Sequence, residues 1–426
     1  MNAMKIGIAG LGTVGGGVAK ALGAHGELLG LRASTPLEVV AVCDRDADKR
    51  AQFDAPQKFD DIKALAASNA DLIVELIGGE NGAAPMLVEA ALNAGKHVVT
   101  ANKAMMARHG ARLAALAEQK GRALRFEAAV AGGIPIVKSL RESLMVYGIS
   151  AVRGILNGTC NYILTQMEAT GRSFEDVLKD AQALGYAEAD PELDVGGGDT
   201  AHKLALLTSL AFGVKPDLDS VAVQGIRNIT PEDISFAREF GYRIKLLGIA
   251  KKTQAGIDQR VQPAMVKAGT ALADVEGVLN GVVVNANEAG PFFFEGRGAG
   301  ECPTANAVIA DIVDIARGNT GSVFGLPADN LLALSAAPTG SASSAYYLRF
   351  QVLDVPGVLA EIAGHLAKWR VSIESMIQRG RAPGEAVSIV MITHETKASD
   401  VAGALDTISQ SANVIAPPCM IPMESK

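Results

Sequence analysis

The feature that most limits the fold is the run Gly10-Leu11-Gly12-Thr13-Val14-Gly15, set between a short apolar strand, Met4–Ala9, and a helical segment. In a loop that receives a pyrophosphate each glycine has a physical task. Gly10 permits a tight turn, Gly12 lets the backbone approach the phosphates, and Gly15 lets helix pack closely on strand. The helix N-terminus attracts the negative charge. Glycines also mark ordinary turns, so the flanking strand and helix carry the argument. Beyond the loop, Glu38–Cys43, Asp71–Leu76, His97–Thr100 and Ala123–Glu127 are further apolar runs, separated by helical patterns such as Arg108–Lys120. Near-continuous apolar strands between helices predict a parallel sheet covered on both faces and joined by right-handed crossovers. The expected fold class is therefore α/β, with a Rossmann-type NAD(P)-binding domain over residues 1–131.

With 426 residues the chain has room for two or three domains. From 132 to 298 the pattern changes to helices with long loops and β-rich stretches, Arg260–Val266 and Gly281–Ala286 among them, with Ile134–Tyr147 as a candidate connecting helix. This region reads as an α+β substrate-binding and dimerisation domain. Residues 299–319 are helical and are expected to return to the first domain. Residues 320–345, rich in Pro, Gly and Ser towards their end, read as a linker. In 346–426, Tyr346–Val352 alternates as a strand, Gly357–Trp369 is amphipathic, Val371–Gln378 and Ala386–His394 are strands, Ser399–Ser409 is a helix, and Asn413–Ala416 is a candidate last strand. That order, βαββαβ, predicts a ferredoxin-like unit.

Composition excludes several function classes. Aromatics make up 4% of the chain, against a base-stacking surface, and a net charge of −7 without a Lys/Arg cluster argues against nucleic acid. The cysteines at 43, 160, 302 and 419 form no CxxC pair and read as reduced thiols. The most apolar stretch, Leu204–Val214, is shorter than the ~20 residues a membrane span needs. A cytoplasmic protein without membrane contact is expected.

At the end of the second strand, Asp44 can accept from a ribose 2′-hydroxyl, which favours NAD, while Arg45 can bind a 2′-phosphate, which favours NADP. Both are present, so either cofactor remains open. The stretch from Gly185 to Lys203 gathers Glu188, Asp190, Glu192, Asp194 and Asp199 in a glycine-rich loop that feeds an apolar helix. Asp199 and Lys203, four apart, can share one side of that helix, and Asp199 also suits the N-cap position. A capped helix behind a solvated acidic loop would look the same, and His202 alone reads as a surface or packing residue. Beside a nucleotide domain, however, carboxylates that bind an ammonium group and a lysine that moves a proton to or from an oxygen suit hydride transfer.

Several long motifs in order give the chain a resemblance to the homoserine dehydrogenases of the long bacterial type with a C-terminal ACT domain. They are GLGTVG, Val99-Thr100-Ala101-Asn102-Lys103, the Glu127–Pro135 run, Leu156-Asn157-Gly158-Thr159, the Tyr186–Lys203 segment and Gly298–Thr304. The resemblance implies reversible NAD(P)H-dependent reduction of L-aspartate 4-semialdehyde to L-homoserine. It implies Lys203 as the proton donor and acceptor, with Asp199, Asp194 and Glu188 binding substrate. Gly10, Gly12, Thr13, Val14, Gly15, Arg45, Thr100, Lys103, Gly185 and Gly300 would contact NADP or NAD. Glu127, Val130, Gly132 and Ile134 would hold a monovalent cation, sodium, mostly through carbonyl oxygens. Asp354 and Gly357, in the loop Asp354-Val355-Pro356-Gly357, would receive L-threonine as feedback effector in a homodimer or homotetramer; an oligomerisation module without ligand is the alternative. An ACT-bearing phosphoglycerate dehydrogenase would place its nucleotide motif mid-chain with a catalytic His downstream. A non-catalytic sensor would carry a DNA- or partner-binding element. Neither pattern is present.

Overall fold

A computed structural model of the chain describes residues 3–146, 148–379 and 384–424. Its first sheet holds six parallel strands, β1 (Met4–Ala9), β2 (Leu37–Cys43), β3 (Gln57–Phe59), β4 (Leu72–Glu75), β5 (His97–Thr100) and β6 (Leu124–Arg125), in the order β3-β2-β1-β4-β5-β6. The order reverses at β1, so the glycine loop opens at the switch point where such sheets bind ligands. β1 and β4 are buried because helices cover both faces. The Thr13–Ala33 and Glu301–Ala316 helices pack together on one of them, with Val18, Leu22, Val308 and Ile312 in one apolar cluster around Ile6 and Ile8. The second of these helices thus comes from residues 299–319.

Among the described residues the second sheet has eleven strands. In chain order they are β7 (Ile149–Ile155), β8 (Ala222–Val223), β9 (Tyr242–Thr253), β10 (Gly256–Lys267), β11 (Leu279–Ala286), β12 (Gly290–Arg297), β13 (Ser343–Leu353), β14 (Ile373–Gln378), β15 (Ala386–Thr393), β16 (Thr396–Lys397) and β17 (Cys419–Glu424). The path runs β12-β11-β7-β9-β10-β17-β13-β15-β14, with β8 beside β10 and β16 beside β13. β17 lies between the β7–β12 half and the ferredoxin-like half, parallel to β10 and antiparallel to β13. The C-terminal unit is therefore part of one continuous sheet with the preceding domain. Its last ladder strand is Cys419–Glu424, not Asn413–Ala416, where only a single Val352–Val414 bridge forms.

The 320–345 stretch is packed chain. Val323, Phe324 and Leu331 are buried, Phe324 meets the Phe126 ring at 5.2 Å, and the buried Arg125 donates to the carbonyls of Asn319 and Gly321. Single bridges tie Leu332 to Val214 and Ala336 to Ile257. The Ile134–Tyr147 segment is not one helix. A short turn, Ile136–Lys138, widens into Ser139–Ser143, and Tyr147 lies outside the described residues. The Glu127 carboxylate accepts from the amides of Val137 and Lys138, fixing where that turn begins. No helix among the described residues is long and apolar enough to cross a membrane.

Candidate active site

At the glycine loop, Gly10 adopts φ +87°, a conformation that side chains disfavour, and a Cβ on Gly15 would fall 1.9 Å from the Gly10 carbonyl oxygen. The Thr13–Ala33 helix begins at once, so its free amides face the space beside β1. Gly10, Gly12, Asp44, Arg45, Lys49 and Asp61 line one recess there. The Asp44 carboxylate is anchored at the edge of that recess: one oxygen accepts from Leu11 N at 2.7 Å and the other from Asp46 N at 3.0 Å. Arg45 and Lys49 are exposed at the same edge.

A second cavity, of about 580 Å³, opens between the two sheets. The Rossmann side contributes Val14, Ala101 and Lys103. The second domain contributes Asn157, Gly185, Glu188, Asp194, Asp199 and Lys203, with Gly298, Gly300 and Thr304 closing the rim. Residues far apart in sequence thus share one wall.

Asp199 is the centre of that wall. It is not the N-cap of its helix: Gly197, at φ +92°, takes that place, and Asp199 sits inside the first turn. Negative charge is favoured there. Lys203 Nζ lies 2.7 Å from Asp199 Oδ2, Lys103 Nζ lies 3.2 Å from Oδ1, and Asn157 Nδ2 donates to Oδ2 at 2.9 Å. Burial by itself would raise the Asp199 pKa, but the two lysine charges and these hydrogen bonds outweigh it and hold the carboxyl well below its usual range. Lys203 is fixed further by donating to the Leu156 carbonyl at 2.7 Å. Asp194 forms no ion pair with a lysine among the described residues; it accepts from Asn157 at 2.8 Å, and burial together with the Asp199 charge pushes its pKa up. Glu188 is exposed at the cavity mouth.

The remaining expected residues divide. Gly10 and Gly12 line the first recess and Val14, Lys103, Gly185 and Gly300 the second, while Thr13 stands exposed at the start of the first helix. Thr100 does not reach either space. It is fully buried, and its hydroxyl donates to Glu75 Oε2 at 2.5 Å. Glu127, Val130, Gly132 and Ile134 share one tight turn, in which Ala131 adopts φ +49°. The Glu127 carboxyl, its pKa pushed up to about 8 by burial and by Asp311 nearby, is tied to Val137 and Lys138, and its backbone carbonyl accepts from Val130 N at 3.4 Å. Asp354 and Gly357 lie on the turn after β13 and line neither space.

Two residues were missed in the sequence. Glu75, buried at the end of β4, accepts from the amides of Ile77 and Gly78 and from Thr100, so it shapes the loops above β4 and β5. An acidic residue closing an otherwise apolar strand is a signal for such a role. Asn157 caps the Gly158–Thr170 helix through Cys160 N at 2.8 Å, and Asn before Gly-Thr is a cap signature.

Comparison with known proteins falls on the same elements. Residues 10–127 match the family described as homoserine dehydrogenase, NAD binding domain; residues 135–313 match that described as homoserine dehydrogenase; residues 346–413 match the ACT domain. The homoserine dehydrogenase of Neisseria gonorrhoeae is 42% identical over 433 residues, covering 100% of this chain and 99% of the relative. That of Pseudomonas aeruginosa is also 42% identical, over 96% of each chain. A crystal structure of a homoserine dehydrogenase from Thiobacillus denitrificans aligns with a TM-score of 0.94 at 40% identity, covering 100% of this chain and 99% of that one. With both catalytic domains matched and relatives aligned along its whole length, the chain belongs to the homoserine dehydrogenase family, NAD(P)-dependent oxidoreductases that interconvert L-aspartate 4-semialdehyde and L-homoserine.

Proposed function

We propose that Lys203 carries the proton in this reaction and that Asp199 acts as the counter-ion holding it in place. The observation that carries the reading is the Lys103–Asp199–Lys203 cluster on the cavity wall, where both oxygens of Asp199 are already engaged. In the reductive direction Lys203 Nζ donates a proton to the aldehyde oxygen; in the oxidative direction the neutral amine takes it back from the hydroxyl. The bound nicotinamide supplies or accepts the hydride. Glu188 and Asp194, which line the cavity outside the lysine cluster, bind the substrate ammonium, and Lys103 orients the substrate from the cofactor side.

The cofactor-side residues fit a dinucleotide: a helix N-terminus with free amides, a backbone open at Gly12, and a recess edged by cations. We infer a preference for NADP, because Arg45 and Lys49 stand exposed at the recess edge where a 2′-phosphate would lie. A hyperthermophilic archaeal homoserine dehydrogenase solved in complex with NADPH, 25% identical with a TM-score of 0.65, supports this. The buried Glu127–Ile134 turn, a set of carbonyl oxygens, suits a hard monovalent cation such as sodium. L-Threonine is proposed to bind at Asp354 and Gly357, where Gly357 at φ +96° opens the Val358–Lys368 helix. The enzyme is proposed to be a homodimer or homotetramer.

One experiment tests the cofactor and effector readings together. Initial rates of L-homoserine oxidation at alkaline pH, followed at 340 nm, should be higher with NADP than with NAD and should fall when threonine is added. Equal rates with both cofactors would refute the role given to Arg45 and Lys49. Rates unchanged by threonine would refute the effector.

A further inference from the structure

We propose that Asn157 is a positioning residue that divides the work between two neighbouring carboxylates, leaving the buried Asp199 to the lysines and the half-buried Asp194 to the substrate. This rests on the roles given above to Lys203 and Asp194.

A side-chain amide has one acceptor oxygen and one nitrogen with two donors. The Asn157 oxygen is committed to Cys160 N at 2.8 Å as the cap of the Gly158–Thr170 helix. That contact fixes which way the amide faces, so its nitrogen must point at the opposite side. There it donates to Asp194 Oδ1 at 2.8 Å and to Asp199 Oδ2 at 2.9 Å. The group is buried, at 5% exposure, and it lines the cavity.

A neutral donor is what the electrostatics of this wall call for. Two carboxylates that share one nitrogen repel each other in a poorly solvated place. A cation between them would quench the repulsion, but it would also neutralise Asp194 and compete with the substrate ammonium. The amide eases the repulsion with two hydrogen bonds and adds no charge. Asp199 is then balanced by Lys103 and Lys203, and Asp194 keeps its negative charge towards the cavity.

Two variants separate the cap from the donors. Asn157→Ser keeps an oxygen that caps the helix but removes both N–H groups. It should leave NADPH affinity at the wild-type value and lower the melting temperature only modestly, as the loss of two hydrogen bonds with the cap retained implies. It should lower kcat/KM for homoserine about 10- to 100-fold, the range for losing hydrogen bonds to charged groups. Its acid limb should move to higher pH, because Asp194 loses the donor that favours its ionised form. Asn157→Asp also caps, but replaces the donor with a third carboxylate. Its kcat/KM relative to wild type should recover as pH falls, since the introduced carboxyl regains a donor in the same place once it is protonated. A wild-type kcat/KM in the Ser variant overturns the proposal. So does a loss in both variants that tracks lowered melting temperature with the pH profile unmoved. Lys203→Ala assayed alongside keeps the two claims apart: if it is inactive while Asn157→Ser is normal, only the positioning role falls.

Discussion

Asp199 and Asp233 are both buried aspartates held by cations, yet they serve different ends. Asp199 sits on a cavity wall between two lysines. Asp233 is fully buried where the Pro231–Glu239 helix meets β13; it accepts from Arg349 Nε at 2.6 Å and Nη2 at 3.1 Å, from Tyr347 Oη at 2.9 Å, and from the Thr230 backbone and hydroxyl. The first cluster is open on one side and its cations are lysines, which can give up a proton. The second is closed and its cation is an arginine, whose planar fork locks geometry and does not deprotonate. The same physical device, a desolvated carboxylate with charged donors, therefore holds the lysine to which we assign the proton in one place and forms a joint between two domains in the other.

The largest effect that sharpens this contrast is expected at the closed cluster. Asp233→Ala leaves Arg349 buried without its partner and should cost about 3–5 kcal/mol of stability. Denaturant unfolding should report that loss, while kcat/KM of the folded variant stays within about twofold of wild type. Adding Arg349→Met should restore part of the stability. A large fall in turnover without a fall in stability would erase the distinction between joint and site.

Lys245 tests what burial does to a lysine held by neutral acceptors. It is buried and donates to Val275 O at 2.6 Å and to Asn161 Oδ1, and burial lowers its pKa from an ordinary 10.5 to about 8. Below pH 8 the folded chain bears the full cost of the buried charge. Between about pH 8 and 10.5 the unfolded chain holds more protons, so this group's contribution to stability rises with pH, by roughly 3 kcal/mol in all. Lys245→Met should flatten that part of the stability profile. A variant whose pH profile matches wild type would contradict it. The smallest effect is expected at the solvent-exposed Arg45: Arg45→Ala should raise KM for NADP about tenfold and leave KM for NAD nearly unchanged.

How much of this was legible depended on how local the signal was. The glycine loop and the apolar strands of the first sheet could be read because each is set by neighbours in sequence. β3 escaped because three residues, Gln57–Phe59, offer no period to count. In the second sheet, stretches of β10, β11, β13, β14 and β15 were readable, but their joining into one sheet was hidden. Its pairings join strands far apart in the chain, and β17 carries Pro422, a residue that argues against a central strand. Pairing with β10 begins only at Met423, past the proline, which is how the structure accommodates it. In the site, the i,i+4 spacing of Asp199 and Lys203 was visible. Lys103 and Asn157 meet them only through the tertiary fold, so nothing in local spacing could show that Asp199 has both oxygens engaged. The bonds from Leu11 and Asp46 to Asp44 likewise belong to the folded loop, so the sequence left Asp44 and Arg45 equally open as partners of the cofactor ribose.

The central claim is that a lysine stands at the open cluster because a proton must move there. The most direct test is kcat for homoserine oxidation by Lys203→Arg and Lys203→Ala, with NADPH affinity titrated in the same samples. Arginine keeps the charge beside Asp199 but cannot accept the proton. Both variants should lose turnover by a factor of about 10² or more with cofactor binding near wild type. An active arginine variant, or an alanine variant that loses cofactor affinity in step with turnover, would contradict the account.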